Sequence, residues 1–390
     1  MLFLFSFGGY KLGEYLYILL VSGLFAYACV GFAEKTGFNK EVFYALMLSS
    51  FVVNFAFIAG TELLTLTLLM FVVTYLQERK SAIVVGLSIL SRYAAIPYLA
   101  LLLFRKRFRE VLIGLALVFV LFIPWFCYNW VVRDHPFYSM VASYFLNMVY
   151  KSGSFAGPTL DNVAPSLLVY LPLVVLGIYL TWRRGIGELD KVVFAFTALT
   201  LLSYSTMPVK ELRYLYNLAL PIGYFSCTGI QNLIGNPSKA KVLLSVALFT
   251  ALNYTATASY VSLTMPVGFY ESLGMVDDGC MVMSNVWPQL NYVGVPAQPY
   301  PERGDAQKRI AEGGRIILYR SEDFPKPDYM YDRDFILTTP LIEENEYFIL
   351  LGNRSLCAPQ TNVDKSSIDY YNEQGHTVRL CPLIPFICGW

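Results

Sequence analysis

Long apolar runs separated by short charged breaks fill the chain up to about Leu263. The runs are Tyr15–Ala33, Val42–Gly60, Leu63–Leu76, Ala82–Phe104, Val111–Val132, Ser166–Trp182, Val192–Met207, Leu218–Ile234 and Val242–Leu263. A helix needs about 20 apolar residues to cross the hydrocarbon core of a bilayer. The pattern therefore predicts an α-helical multi-pass membrane domain over residues 1–263, with about nine or ten membrane segments. Beyond it Asp, Glu, Arg, Pro and Gly become common and no run is long enough to span. There Cys280–Ser284, Arg315–Tyr319 and Tyr347–Leu351 read as buried strands. Asp305–Glu312 reads as a helix stopped by Gly313 and Gly314, and Asp364–Gln374 as a second one stopped by Gly375. Residues 264–390 are accordingly predicted as a soluble α/β domain.

The charged breaks orient the membrane part. Lys35 with Lys40, Arg79 with Lys80, Arg105–Arg109, Arg183 with Arg184, and Lys239 with Lys241 fall on the cytoplasmic side by the positive-inside rule. Glu62, 133–165, 208–217 and the C-terminal domain then lie outside the cytoplasm. Ala82–Phe104 breaks the alternation, because basic clusters flank both of its ends. Either it is a broken helical hairpin that dips in and returns, with Arg92 near its outer tip, or it is a straight helix that violates the charge rule. Irregular backbone at membrane depth is tolerated where protein or a wet cavity surrounds it. In the outer loop, Met140, Tyr144, Phe145, Met148 and Val149 recur at helical spacing. This fits a helix lying in the interface or ordinary packing over the bundle. Pro124 predicts a kink in its helix, and Pro221 interrupts the start of another.

Composition narrows the function classes. Of 390 residues, 56% are hydrophobic and only 15% charged, with a mean hydropathy of +0.50. Soluble domains carry about 25% charged residues. The balance of 29 basic and 28 acidic residues excludes a broadly basic nucleic-acid binder. With two His and no CxxC or HExxH pair, zinc has no support and no metal site is expected, while the cofactor stays unknown. No basic leader or small-residue cleavage site precedes Tyr15, so no signal peptide is expected. Cys29, Cys127 and Cys227 lie in apolar runs as packing residues. Cys280, Cys357, Cys381 and Cys388 lie in the C-terminal domain, where disulfides are permitted if that domain is outside; four cysteines allow three pairings. Asn353 opens a glycosylation sequon. Trp287 and Tyr292 either face a sugar or pack their own loop.

Candidate chemistry gathers at helix ends. Lys210, Glu211 and Arg213 lie between two apolar runs, and Arg and Lys three apart on a helix share a face. Arg offers a planar fork suited to phosphate and Lys a point charge beside it. Glu62, Arg92 and Asp134 with His135 are the other polar points on the outer side. An anionic lipid phosphate accounts for Lys210, Arg213 and Arg92 together. In the alternative reading Glu211 pairs with Lys210 or Arg213 and the trio only ends two helices.

Four stretches carry a resemblance: Gly60–Leu64, Val85–Tyr93, Pro124–Trp130 with Asp134–Tyr138, and Lys210–Leu215 before an apolar run with Pro221. In this order they resemble the integral-membrane glycosyltransferases of the GT-C fold, in particular the protein mannosyltransferase and lipid A aminoarabinose transferase group. The resemblance implies a polyprenyl-phosphate-linked sugar donor, a membrane lipid partner, and inverting transfer to an acceptor outside the cytoplasmic membrane. It assigns substrate binding to Lys210, Arg213, Arg92 and Glu62. In that family an acidic residue of the first outer loop acts as base or holds a metal, and the resemblance places the start of this sequence after the first helix that precedes that loop. Before Tyr15 only Glu14 is a carboxylate. The resemblance thus leaves a missing N-terminal segment, supplied by a partner or lost through a misassigned start, or a catalytically silent relative. The alternative function is a non-catalytic membrane protein that binds a lipid-linked sugar or a membrane partner. A transporter would carry inverted repeats and midplane charges, and neither is visible.

Overall fold

The computed structural model describes residues 10–48, 61–144, 170–206, 214–234, 279–284, 303–319 and 333–359, with isolated positions at 241–251 and 287–301. Lys210, Glu211 and Arg213, the apolar run Val242–Leu263 for the most part, Tyr292, the helix expected over Asp364–Gln374, Cys381 and Cys388 lie outside the described residues. The chain divides into two compact units, 1–149 with 157–261, and 150–156 with 262–390.

The first unit is helical. Its elements are α1 (Tyr10–Thr36), α2 (Lys40–Met47), α3 (Glu62–Thr74), α4 (Lys80–Ser91), a 3₁₀ segment (Tyr93–Phe104), α5 (Phe108–Arg133), α6 (Tyr138–Tyr144), α7 (Leu171–Arg184), α8 (Glu188–Thr206), a 3₁₀ turn (Tyr216–Leu218) and α9 (Ala219–Ile234). In α1 the buried residues Tyr17, Val21, Phe25, Ala28 and Phe32 form one stripe at helical spacing. Among the described residues two helices, over Tyr15–Thr36 and Phe108–Val132, are long and apolar enough to cross a membrane. The outward side of α5 is apolar as well, with Phe108, Phe119 and Val131 exposed. Cys127 is exposed there, whereas Cys29 and Cys227 are buried. The packing role expected of Cys127 is therefore not what the fold gives it, because an apolar run does not reveal which of its sides faces the bundle.

Residues 80–104 turn back on themselves. Arg92 breaks the helix with extended backbone, and the chain returns as the 3₁₀ segment. The base of this hairpin is fastened by Arg105. Its guanidinium donates to the Leu76 carbonyl at 3.1 Å, the Glu78 carbonyl at 2.7 Å, the Ser81 hydroxyl at 2.8 Å and the Glu110 carbonyl at 2.8 Å. Gln77 adds a bond to the Phe104 carbonyl at 3.1 Å. At about 1.5 Å per residue α4 rises roughly 18 Å, and at about 2.0 Å the 3₁₀ segment covers roughly 24 Å. The two ends of 80–104, with the basic residues that flank them, thus lie together at the base of the hairpin. Arg105 itself is 6% exposed, so it closes open carbonyls rather than adding to a solvated basic cluster.

The other helices are tied by close backbone approach. A Cβ on Gly177 of α7 would lie 1.9 Å from the Phe225 carbonyl oxygen of α9, and one on Gly229 of α9 would lie 2.6 Å from the Leu173 carbonyl oxygen. Asp190, 3% exposed, joins three helices. It accepts from Arg184 at 2.8 Å, from the Tyr224 hydroxyl at 2.5 Å and from the Gly187 amide at 2.8 Å. A buried carboxylate would be costly without such donors. Pro221 lies in the first turn of α9, where no intrahelical donor is needed, so it does not interrupt the helix.

The second unit is α/β. Its elements are β1 (Val282–Met283), β2 (Ala297–Gln298), α10 (Arg303–Ala311), β3 (Arg315–Tyr319), α11 (Arg333–Thr338), β4 (Leu341–Glu344) and β5 (Phe348–Leu351). The sheet order is β2-β1-β3-β5-β4. β1 pairs parallel with β2 and β3, while β5 pairs antiparallel with β3 and β4. Both faces of β3 are covered. Ile317 and Tyr319 pack with Val282, Leu290 and Phe348, and Ile316 and Leu318 pack with Met283, Ala306 and Phe335. Burial pushes the Tyr319 phenol pKa up. Trp287 packs against the first of these clusters, which decides for packing over a sugar-facing role. Cys280 and Cys357 form a disulfide.

Candidate functional site

A cleft of about 420 Å³, counting its open mouth, is lined by Glu62, Thr65, Arg92, Ala94, Ala95, Tyr98, Ser203, Tyr214, Tyr216 and Asn217. Two of the four outer polar points, Glu62 and Arg92, contribute. Glu62 opens α3, where its charge favours the positive end of the helix dipole. Arg92 occupies the corner of the hairpin, and its Nη1 lies 2.6 Å from Glu62 Oε1. Their side chains are 18% and 12% exposed, respectively. The Arg92 guanidinium also lies over the Tyr214 ring, 5.6 Å from its centre. Tyr214 directly follows Arg213 in the sequence.

The floor is neutral and polar. The Tyr98 hydroxyl stands 2.6 Å from Thr200 Oγ1, and Asn217 Nδ2 donates to it at 3.0 Å. Thr200 Oγ1 donates its only proton to the Phe196 carbonyl at 2.9 Å, so Tyr98 is the donor in the bond to Thr200. This fixes the direction of the chain Asn217 to Tyr98 to Thr200. One helical turn beyond Thr200, on the same face of α8, Ser203 Oγ is buried with no hydrogen-bond partner among the described residues. An unpaired buried hydroxyl beside a cleft is a group that a ligand can satisfy.

A second network supports the hairpin corner. Ser139 Oγ donates to Asn129 Oδ1 at 2.5 Å, and Asn129 Nδ2 donates to the Trp125 carbonyl at 3.1 Å. Trp125 Nε1 donates to the Tyr93 hydroxyl at 2.8 Å. The stretch Pro124–Trp130 therefore acts through Tyr93, next to Arg92, rather than on the cleft. Asp134 and His135 do not join the site. Asp134 ends α5 in the left-handed region, with φ of 55°, and His135 Nδ1 accepts from the Phe137 amide at 3.2 Å. The expected gathering of all four polar points is corrected for these two residues, which form the turn after α5; Lys210, Glu211 and Arg213 lie outside the described residues.

Glu62 and Arg92 are legible from sequence as charges at the ends of apolar runs. Tyr98, Thr200 and Ser203 are not, because a Tyr or Ser in an apolar run most often packs. Among the described residues no three His, Cys, Asp or Glu side chains group to hold a metal. Glu62 is engaged by a cation, so the described cleft does not fit a metal.

No family model matches the chain, and no curated protein matches its sequence. Its structure is similar to that of ArnT from Cupriavidus metallidurans, a crystal structure bound to undecaprenyl phosphate, with a TM-score of 0.65 and 12% sequence identity. The match covers 92% of this chain and 86% of that one. At this identity the likeness is one of fold, and it agrees with the GT-C architecture that the four stretches led us to expect.

Proposed function

We propose that the protein is a membrane glycosyltransferase-like protein that accepts a polyprenyl-phosphate-linked sugar donor, with residues 264–390 outside the cytoplasm. The observation that carries this reading is the corner cation. Arg92 is held at the mouth of a cleft whose neutral polar floor suits hydroxyl groups, on a fold shared with a protein that binds undecaprenyl phosphate. In this reading Arg92, Arg213 and Lys210 receive the phosphate, and Glu62 holds Arg92 in place until the ligand arrives. In the sequence Arg213 immediately precedes Tyr214, whose ring lies by Arg92.

A second reading has its own support. Glu62 is the only carboxylate in the described lining, and it is paired. Glycosyl transfer requires a base within hydrogen-bond reach of the acceptor hydroxyl. Without one, the cleft binds the lipid-linked sugar but does not turn it over.

Titration of polyprenyl phosphate against the full chain in nanodiscs tests the shared part of both readings. A charged hydrogen bond contributes about 1.5–3 kcal/mol, so Arg213→Ala should weaken binding by roughly one to two decades. Arg213→Lys should recover only part, since the bidentate fork is lost. Unchanged affinity together with a lower melting temperature would make Arg213 a helix-end residue. Release of sugar from a labelled donor then separates transferase from binder. The orientation has its own check, a Glu343→Cys chain that keeps the Cys280–Cys357 disulfide and lacks the other cysteines. It should react with a membrane-impermeant maleimide in intact cells, and protection until lysis would reverse the orientation.

A further inference from the structure

We propose that the Cys280–Cys357 disulfide is a one-ended thiol-exchange site, in which an external thiolate attacks Cys357 and Cys280 departs as a thiolate beside Arg315. This inference is independent of the cleft. The two cysteines differ sharply in surroundings. Cys280 is 3% exposed, two residues before β1 and bridged antiparallel to Pro359. Cys357 is exposed, on the loop that follows β5. A nucleophile therefore has access to one sulfur only.

The buried end is prepared for the leaving group. Arg315, itself 3% exposed, directs Nη2 to Cys280 Sγ at 3.5 Å. It is held there by bonds from Nη1 to the Asn353 carbonyl at 2.7 Å and the Gly313 carbonyl at 3.3 Å. A guanidinium beside a thiol stabilises the thiolate, and a thiol of lower pKa leaves faster. The step balances without an oxidant. The incoming thiolate forms a bond to Cys357 Sγ, the old sulfur–sulfur bond breaks, and its electron pair goes to Cys280 Sγ. The product is a mixed disulfide on Cys357 and a free thiolate at Cys280. The strands outlast the exchange, because Met281 N still donates to the Ala358 carbonyl at 3.0 Å and Ala358 N to the Gly313 carbonyl at 3.0 Å. The site thus accepts a small thiol, or the thiolate of a dithiol protein, on an exposed loop of an otherwise intact domain.

The test treats the full native protein with glutathione, quenches with N-ethylmaleimide and maps the peptides by mass spectrometry. Glutathione should be found on Cys357 and maleimide on Cys280. Glutathione on Cys280, an equal split, or no adduct would overturn the proposal. The rate adds a second readout. Arg315→Gln should slow exchange by about tenfold, with Arg315→Lys in between because it keeps the cation. If Arg315 only ties the 353–358 loop down, Arg315→Gln would loosen the loop and speed exchange. A faster variant therefore also overturns the assignment, and the mapping on the native chain needs no variant to fold.

Discussion

Arg92→Ala should cost the protein both stability and its affinity for a lipid phosphate. The substitution leaves Glu62, 12% exposed, beside an apolar wall without the cation that now lies 2.6 Å away. Breaking a buried pair from one side costs about 3–5 kcal/mol; the remaining exposure of both side chains places this pair near the lower end. Phosphate affinity should fall by roughly one to two decades with the lost charged bonds. Glu62→Gln acts in the opposite direction on binding. It removes the anion that competes for Arg92, so polyprenyl phosphate should bind more tightly even though the fold is weakened. The double variant Glu62→Gln with Arg92→Met contains no stranded charge and should regain melting temperature without regaining affinity. If the double variant binds as well as the native chain, Arg92 is only a strut for Glu62, and the phosphate assignment at the hairpin corner is lost.

Among the described glycines of the first unit, Gly177→Ala should be the most disruptive single methyl. Its Cβ would stand 1.9 Å from the Phe225 carbonyl oxygen and 2.6 Å from the carbonyl carbon. These are backbone atoms, which cannot rotate away as a side chain can, so α7 and α9 would have to separate. Overpacking usually costs about 1–3 kcal/mol and sometimes more; a clash this deep belongs at or beyond the upper end. The effect reaches the cleft, because α9 begins directly after Tyr216 and Asn217, which line it. Small residues permit such approach between apolar helices, where shape complementarity replaces the hydrophobic drive available in water. Gly23 in α1 is the control. A Cβ there meets nothing within 4 Å, and Ala is favoured over Gly in a helix by about 1 kcal/mol. Thermal melting and folded yield of the two variants in the same detergent decide the matter. Equal melting temperatures would mean that α7 and α9 do not approach as described.

The sequence by itself determined the local elements wherever one signal was strong. The apolar runs located α1, α5, α8 and α9. The continuous apolar stretches Arg315–Tyr319 and Tyr347–Leu351 located β3 and β5, whose faces are covered on both sides. Basic residues at both ends of 82–104 marked the hairpin, because a single crossing would have placed one cluster on the wrong side. Weak elements escaped. β2 has two residues, and β4 reads Leu-Ile-Glu-Glu on an exposed edge, where pairing rather than burial makes the strand. Only the tertiary structure decided which charges meet. Glu62 reaches Arg92 across 30 positions of chain, and Asn217 reaches Tyr98 across 119. Periodicity reports how one side of a segment is buried, but not what buries it. The same limit hid the separate fates of similar residues: Arg105 as a clamp on carbonyls and Arg92 as the cation of a cleft, Cys29 inside the bundle and Cys127 on its outer surface. Each of these is set by which helices pack together, and that depends on contacts such as Gly177 against Phe225 that no local pattern encodes.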